Sequence, residues 1–84
     1  MKILLAEDDE ICQMPIKTFS KKLGIDLEVA NNGKEALDKA KSESFDLILM
    51  DVYMPEMSGT EATEAIRNLS NGSEFKIIAL SGGI

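Results

Sequence analysis

The chain has 84 residues, of which 44% are hydrophobic, and this length suits one small domain with a modest core. Its formal net charge is −6, which argues against nucleic acid or an anionic membrane as a direct partner. With no histidine and a single cysteine, Cys12, these residues exclude a Ser-His-Asp triad, a histidine metal site and an internal disulfide. Cysteine usage fits a reducing, cytoplasmic setting. The apolar run Ile3–Ala6 is too short for a signal peptide or a membrane span.

The first predicted strand is Lys2–Ala6, a short apolar run that suits burial on both faces of a sheet. Four acids follow it, Glu7–Glu10. Such a run is typical of a solvated turn or of a helix start, where negative charge meets the helix dipole favourably. The alternative is functional, because two acids at the carboxyl end of a central strand can hold a hard cation.

Helix one is predicted over Ile11–Leu23, with Gly24 as its stop. Its apolar residues fall at i, i+4, i+7 and i+11, which predicts one buried helical face. That face comprises Cys12, Ile16, Phe19 and Leu23. Cys12 is interpreted as a small packing residue.

The second strand is predicted at Asp26–Ala30, where apolar and polar residues alternate as at or near the edge of a sheet. Asn32 and Glu35 then have the spacing of a helix cap. This spacing predicts that helix two begins there.

The third predicted strand, Phe45–Met50, has no polar face, which favours the centre of a parallel sheet covered on both sides. Asp51 follows it, at the strand end where open α/β sheets place their ligand chemistry. Ser58 and Glu61 predict the cap of helix three, and Gly59 is expected to permit a close approach at the helix start.

The fourth strand is predicted at Phe75–Leu80 and is followed directly by Ser81. Strands alternating with helices predict an α/β fold with a parallel sheet and right-handed crossovers. The acids after strand one, Asp51 and Ser81 then share one edge of the sheet. This convergence favours a site for phosphate or metal.

Three segments, ILLAEDDE, MDVYMPEMSGTEATEAIR and IIALSG, together resemble the receiver domain of two-component signalling, in the form attached to hybrid sensor kinases. The resemblance covers residues 1–84 and implies a flavodoxin-like fold with sheet order 2-1-3-4. The family's last helix-strand-helix, with its phosphoryl-contacting lysine, is expected to lie beyond Ile84. Lys76 does not match the position of that lysine.

The resemblance implies a signalling phosphoacceptor rather than an enzyme. Asp51 would accept a phosphoryl group from a histidine kinase or a histidine phosphotransfer protein. Mg²⁺ would be held directly by Asp8, Asp51 and the backbone carbonyl of Tyr53, and through water by Glu7. Ser81 would be the switch hydroxyl that hydrogen-bonds a phosphoryl oxygen.

Asp9, the extra acid after the pair, is expected to be peripheral. If the chain ends at Ile84, the open edge of strand four is expected to favour self-association as a homodimer. A strictly monomeric mass at high concentration would argue against it.

Two other interpretations are compatible with the fold. One is a pseudo-receiver that uses the fold for protein contacts without phosphorylation. The other is a small hydrolase or phosphatase with Asp51 as nucleophile. Such enzymes carry their acid pair at the first strand and a general acid two residues after the nucleophile, where Tyr53 stands here. A nucleotide-binding fold is disfavoured because no glycine-rich loop follows strand one.

Overall fold

Four parallel strands in the order β2-β1-β3-β4 form the centre of the fold. The computed structural model describes residues 1–80. The elements are β1 (Lys2–Ala6), α1 (Glu10–Leu23), β2 (Asp26–Ala30), α2 (Gly33–Ser42), β3 (Leu47–Asp51), α3 (Gly59–Arg67), a 3-10 turn (Gly72–Glu74) and β4 (Ile77–Leu80). The predicted α/β class and sheet order 2-1-3-4 are confirmed.

The two central strands, β1 and β3, are aligned so that their carboxyl ends meet. Ala6 pairs with Met50 across this junction, and Asp51 pairs with Leu80 on the other side of β3. The residue that follows Ala6, Glu7, is therefore the neighbour of Asp51. This register brings the acids of the first loop to the end of the third strand.

The main core lies between the sheet and the pair α2 and α3. It is built from aliphatic and aromatic side chains that alternate along β1 and β3 and from small residues on the helices. Its buried members are Leu4, Ala6, Ala30, Ala36, Ala40, Phe45, Ile48, Met50, Ala62, Ile66 and Phe75. The alternate residues of β1, Ile3 and Leu5, are also buried, on the face that α1 covers. The prediction of β1 as a strand buried on both faces is thus confirmed.

Two strand boundaries differ from the prediction. β3 begins at Leu47, so Phe45 contributes to the core before the strand starts, and Asp51 is the last strand residue rather than the first loop residue. β4 begins at Ile77, because Arg67 donates hydrogen bonds to the carbonyls of Gly72 and Phe75 and holds that segment in a turn.

The predicted buried face of α1 is wrong for three of its four residues, and only Ile16 is half-buried. Phe19 and Leu23 are 66% and 70% exposed, and Cys12 is exposed as well, whereas Gln13 and Ser20 are the buried residues of this helix. At about 100° per residue, the two lines of residues lie roughly 80° apart around the helix axis. On the second line, the Gln13 side chain donates hydrogen bonds to the Glu7 carbonyl and to Asn31 Oδ1.

The predicted helix ends are confirmed by their hydrogen bonds. Gly24 ends α1 in the left-handed conformation with φ 69°. The Asn32 side chain accepts from the Glu35 N–H at 2.8 Å, and Ser58 with Glu61 forms a reciprocal capping box. Among residues 1–80, no helix combines the length and apolar composition that crossing a membrane requires.

Candidate functional site

Three carboxylates meet at the carboxyl ends of β1 and β3. One oxygen each from Glu7, Asp8 and Asp51 lies within 4.8 Å of the other two. Asp51 is only 7% exposed, whereas Glu7 is half-buried and Asp8 is exposed. The cluster is therefore a pocket with a buried acid at its base and an accessible acid at its rim.

The loop after β1 has a defined path because its backbone groups are paired. The Glu7 N–H donates to the Ala30 carbonyl of β2 at 3.0 Å, and the Glu7 carboxylate accepts from the Asp9 N–H at 3.2 Å. The Asp9 carboxylate accepts from the Ile11 N–H at 2.9 Å and so caps α1. Asp9 thus begins the helix, while the two preceding acids belong to the cluster.

The base of the pocket is held by a close approach between β3 and the start of α3. The Gly59 N–H donates to the Val52 carbonyl at 2.9 Å. A methyl group at Gly59 would stand 1.9 Å from the Asp51 carbonyl oxygen, so only glycine fits. The expected role of Gly59 in a tight helix entry is confirmed.

Burial, and to a lesser extent the neighbouring carboxylates, change the titration of Glu7. Its pKa is raised from 4.5 to about 7, chiefly by burial and further by the nearby carboxylates of Asp51 and Asp8, while the bond from the Asp9 N–H opposes this shift. A carboxyl group with this pKa is partly protonated near neutral pH. The arrangement is unfavourable for three full negative charges unless a cation joins them.

The donor set fits a hard divalent cation. Carboxylate oxygens that converge from one loop and from the end of a strand are ligands that Mg²⁺ prefers, and an exposed rim leaves room for water. Within residues 1–80, the ion pairs are those of Lys2 and Lys39 with Glu28 and Glu43, so none neutralises the cluster. The three acids are therefore available to a metal ion.

The other two predicted site residues are Tyr53 and Ser81. The Tyr53 N–H donates to Asp51 Oδ1 at 3.4 Å and its side chain is exposed, which puts its backbone beside the pocket. Its carbonyl as a metal ligand stays a prediction. Ser81 lies outside the described residues, so its role as the switch hydroxyl also stays a prediction.

Sequence reasoning missed Gln13. Its side chain is buried and donates to the Glu7 carbonyl at 2.5 Å and to Asn31 Oδ1 at 3.1 Å. Helical periodicity carries no signal for this, because it marks apolar positions as buried and polar positions as exposed. Only the position of the helix against the loop brings this amide next to the cluster.

Comparison with known proteins identifies the family. The family model of the response regulator receiver domain matches residues 3–83. The chain is 51% identical over 69 residues to response regulator mcs4 of Schizosaccharomyces pombe, covering 82% of this chain and 13% of that protein. It is 49% identical over 83 residues to histidine kinase 5 of Arabidopsis thaliana, covering 99% of this chain and 9% of that protein. The chain thus spans a small part of these curated relatives.

Two solved structures show the same fold. The receiver domain of sensor histidine kinase PA1611 from Pseudomonas aeruginosa, with a magnesium ion coordinated in its active site cleft, superposes with TM-score 0.92 at 35% identity. That match covers 98% of this chain and 67% of the other. The Ssk1 receiver domain of Saccharomyces cerevisiae, co-crystallised with the histidine phosphotransfer protein Ypd1, gives TM-score 0.90 at 31% identity, over 96% of this chain and 63% of the other. This chain belongs to the response regulator receiver domains of two-component signalling.

Proposed function

We propose that this receiver domain is a phosphoacceptor whose Asp51 takes a phosphoryl group from a phosphohistidine. The observation that carries this proposal is the placement of Asp51, a nearly buried carboxylate that shares a pocket with Glu7 and Asp8 at the end of a central strand. An isolated structural acid has no need of two further acids beside it. A phosphoacceptor that works with a divalent cation does.

The reaction is a phosphoryl transfer between two side chains. An Asp51 carboxylate oxygen forms a bond to phosphorus, the bond from phosphorus to the histidine nitrogen breaks, and the bonding electrons leave with the imidazole, which gains a proton. The product is an acyl phosphate on Asp51. Transfers of this kind depend mainly on positioning and on stabilisation of the charge on the phosphoryl oxygens.

The residues around Asp51 supply the positioning. We assign Asp8, Asp51 and the Tyr53 carbonyl as direct ligands of Mg²⁺, with Glu7 acting through water. When bound, Mg²⁺ neutralises the acids and offsets negative charge on the phosphoryl oxygens. Ser81 is assigned as the hydroxyl that donates to a phosphoryl oxygen after transfer. The magnesium ion in the PA1611 receiver domain supports the metal assignment.

The partner in this proposal is a histidine kinase or a histidine phosphotransfer protein. The complex of Ypd1 with the Ssk1 receiver domain supports this class of partner. The net charge of −6 is unfavourable for nucleic acid or an anionic membrane as a direct partner. A cytoplasmic location stays a prediction.

The decisive experiment is intact mass spectrometry after incubation with Mg²⁺ and acetyl phosphate. The expected result is the gain of one phosphoryl group in the parent and none in Asp51→Asn, which keeps the shape of the side chain but lacks the nucleophilic carboxylate. No gain in a parent that is folded by circular dichroism would contradict the proposal. It would favour a receiver scaffold that acts through protein contacts alone.

A further inference from the structure

We infer that Gln13 is a positioning residue whose side-chain amide holds the peptide between Glu7 and Asp8 and so sets the two acids for the cation. The inference rests on the proposed function, because it names how the chain orients the acids of that site. Gln13 lies in α1 and is not among the proposed metal ligands.

The burial of Gln13 calls for a reason. The residue is 2% exposed on a helix whose apolar side chains Ile11, Phe19 and Leu23 are largely exposed. A primary amide is unfavourable in a buried position unless its hydrogen bonds are satisfied. At Gln13, α1 therefore buries a hydrogen-bonding side chain, while Ile11, Phe19 and Leu23 remain largely exposed.

The amide hydrogens of Gln13 have two acceptors on two different loops. Nε2 donates to the Glu7 carbonyl at 2.5 Å, in the loop after β1, and to Asn31 Oδ1 at 3.1 Å, in the loop after β2. Asn31 is held in turn, since its N–H donates to Glu35 Oε1 at 3.2 Å in the first turn of α2. A single side chain thus links α1 to both loops.

The hydrogen bond from Gln13 to the Glu7 carbonyl means that both backbone groups of Glu7 are paired. Its N–H already donates to Ala30 at 3.0 Å, so the Gln13 bond fixes the other backbone group of Glu7. Because the peptide is planar, the direction of this carbonyl also sets the Asp8 nitrogen and the path to its Cα. Asp8 is exposed, so packing alone does not define its position.

The test compares two buried polar residues of the same helix. Gln13→Met keeps a long unbranched side chain and removes the donor. Ser20→Ala is the matched control, because Ser20 is the other buried polar residue of α1 and lies about two helical turns beyond Gln13. Gln13→Leu, which also removes the donor and adds no charge beside the acids, carries the test if Gln13→Met does not fold.

The first measurement uses the metal-free chain and does not depend on phosphoryl transfer. Amide hydrogen exchange of Glu7 and Asp9 is followed by NMR, because these two N–H groups donate to the Ala30 carbonyl and to the Glu7 carboxylate. The rates are expected to rise about tenfold in Gln13→Met but not in Ser20→Ala. Exchange unchanged from the parent would overturn the inference, whether or not the site binds a metal. The same rise in Ser20→Ala would overturn it too, because the effect would then be general loosening.

The second measurement is a Mg²⁺ titration of the same three proteins. The dissociation constant is expected to rise about tenfold in Gln13→Met, as for residues that orient metal ligands, and to stay at the parent value in Ser20→Ala. A looser loop with unchanged Mg²⁺ affinity would overturn the positioning role. A parent that binds no Mg²⁺ would defeat the proposed function instead, and the exchange rates would still decide whether Gln13 orients the loop.

Discussion

At the scale of single residues, the pocket concentrates negative charge that no ion pair among residues 1–80 neutralises. The Glu7 carboxylate is half-buried beside the carboxylates of Asp51 and Asp8, and its pKa is raised from 4.5 to about 7. Ionising Glu7 near neutral pH is therefore less favourable in the folded chain than in the unfolded chain. The free energy of unfolding should reflect this difference.

The direction in which the free energy of unfolding changes with pH depends on whether the folded or the unfolded chain binds the Glu7 proton more tightly. Because the pKa of Glu7 is higher in the folded chain, its stabilising contribution is full below 4.5 and is lost as the pH rises through about 7. Without divalent cations, we expect the free energy of unfolding from urea denaturation to fall between about pH 5 and about pH 8. The chain has no histidine to titrate in this window.

Glu7→Gln is the matched variant for this prediction, because it keeps the shape and removes the ionisable group. Its free energy of unfolding should change less over the same pH range and should exceed that of the parent at the alkaline end. A decline as steep as that of the parent would show that another group is responsible.

At the scale of elements, the site depends on how closely α3 begins against β3. The capping box of Ser58 and Glu61 starts the helix. Gly59, the first residue of α3, has no side chain and can therefore approach the backbone of Asp51 closely. Any side chain at Gly59 must push the strand end and the helix start apart. The acid at the base of the pocket would move with them.

We expect Gly59→Ala to lower the free energy of unfolding by about 3 kcal/mol, since its methyl group would stand 1.9 Å from the Asp51 carbonyl oxygen. The measurement is urea denaturation followed by circular dichroism. Thr60→Ala is the control, because this neighbouring residue is exposed and alanine is a good helix former. Equal stability of the two variants would mean that the approach of α3 to β3 relaxes without loss.

At the scale of the whole molecule, the two faces of the sheet differ in how they are covered. The face under α2 and α3 holds the main core, whereas on the other face α1 buries only Gln13 and Ser20 of its own residues. Ile48 in β3 is 0% exposed and Ile78 in the neighbouring β4 is 51% exposed. Since Leu5 on the α1 side of the central strand β1 is also 0% exposed, these two isoleucines compare the main core with the edge strand on the α1 side.

Replacing each isoleucine by alanine should measure this asymmetry. Ile48→Ala should lower the free energy of unfolding by about 3 kcal/mol, because it leaves a cavity in a packed core. Ile78→Ala should lower it by less than about 1 kcal/mol, because much of this side chain is already in contact with water. Similar losses in urea denaturation would show that Ile78 on the edge strand is packed as well in solution as Ile48 in the core. The predicted self-association through the edge of β4 stays a prediction.

The sequence by itself determined the class of fold, the strand order through the family resemblance, the helix caps and the acids of the site. These features depend on local patterns: the apolar runs of β1 and β3, the S-x-x-E spacing at Ser58 and the acids that end a strand. Such patterns act within a few residues, where propensity and hydrogen-bonding chemistry are largely independent of the rest of the chain.

Tertiary structure alone decided which side of α1 is buried, the raised pKa of Glu7 and the bridge from Gln13 to two loops. The apolar line of Phe19 and Leu23 predicted the wrong face, because the rotation of a helix is set by partners from distant segments. Likewise, Glu7 and Asp51 are 44 residues apart in the chain, and only the register of β1 against β3 places them side by side. Burial and electrostatic interaction are properties of that proximity, which no local pattern contains.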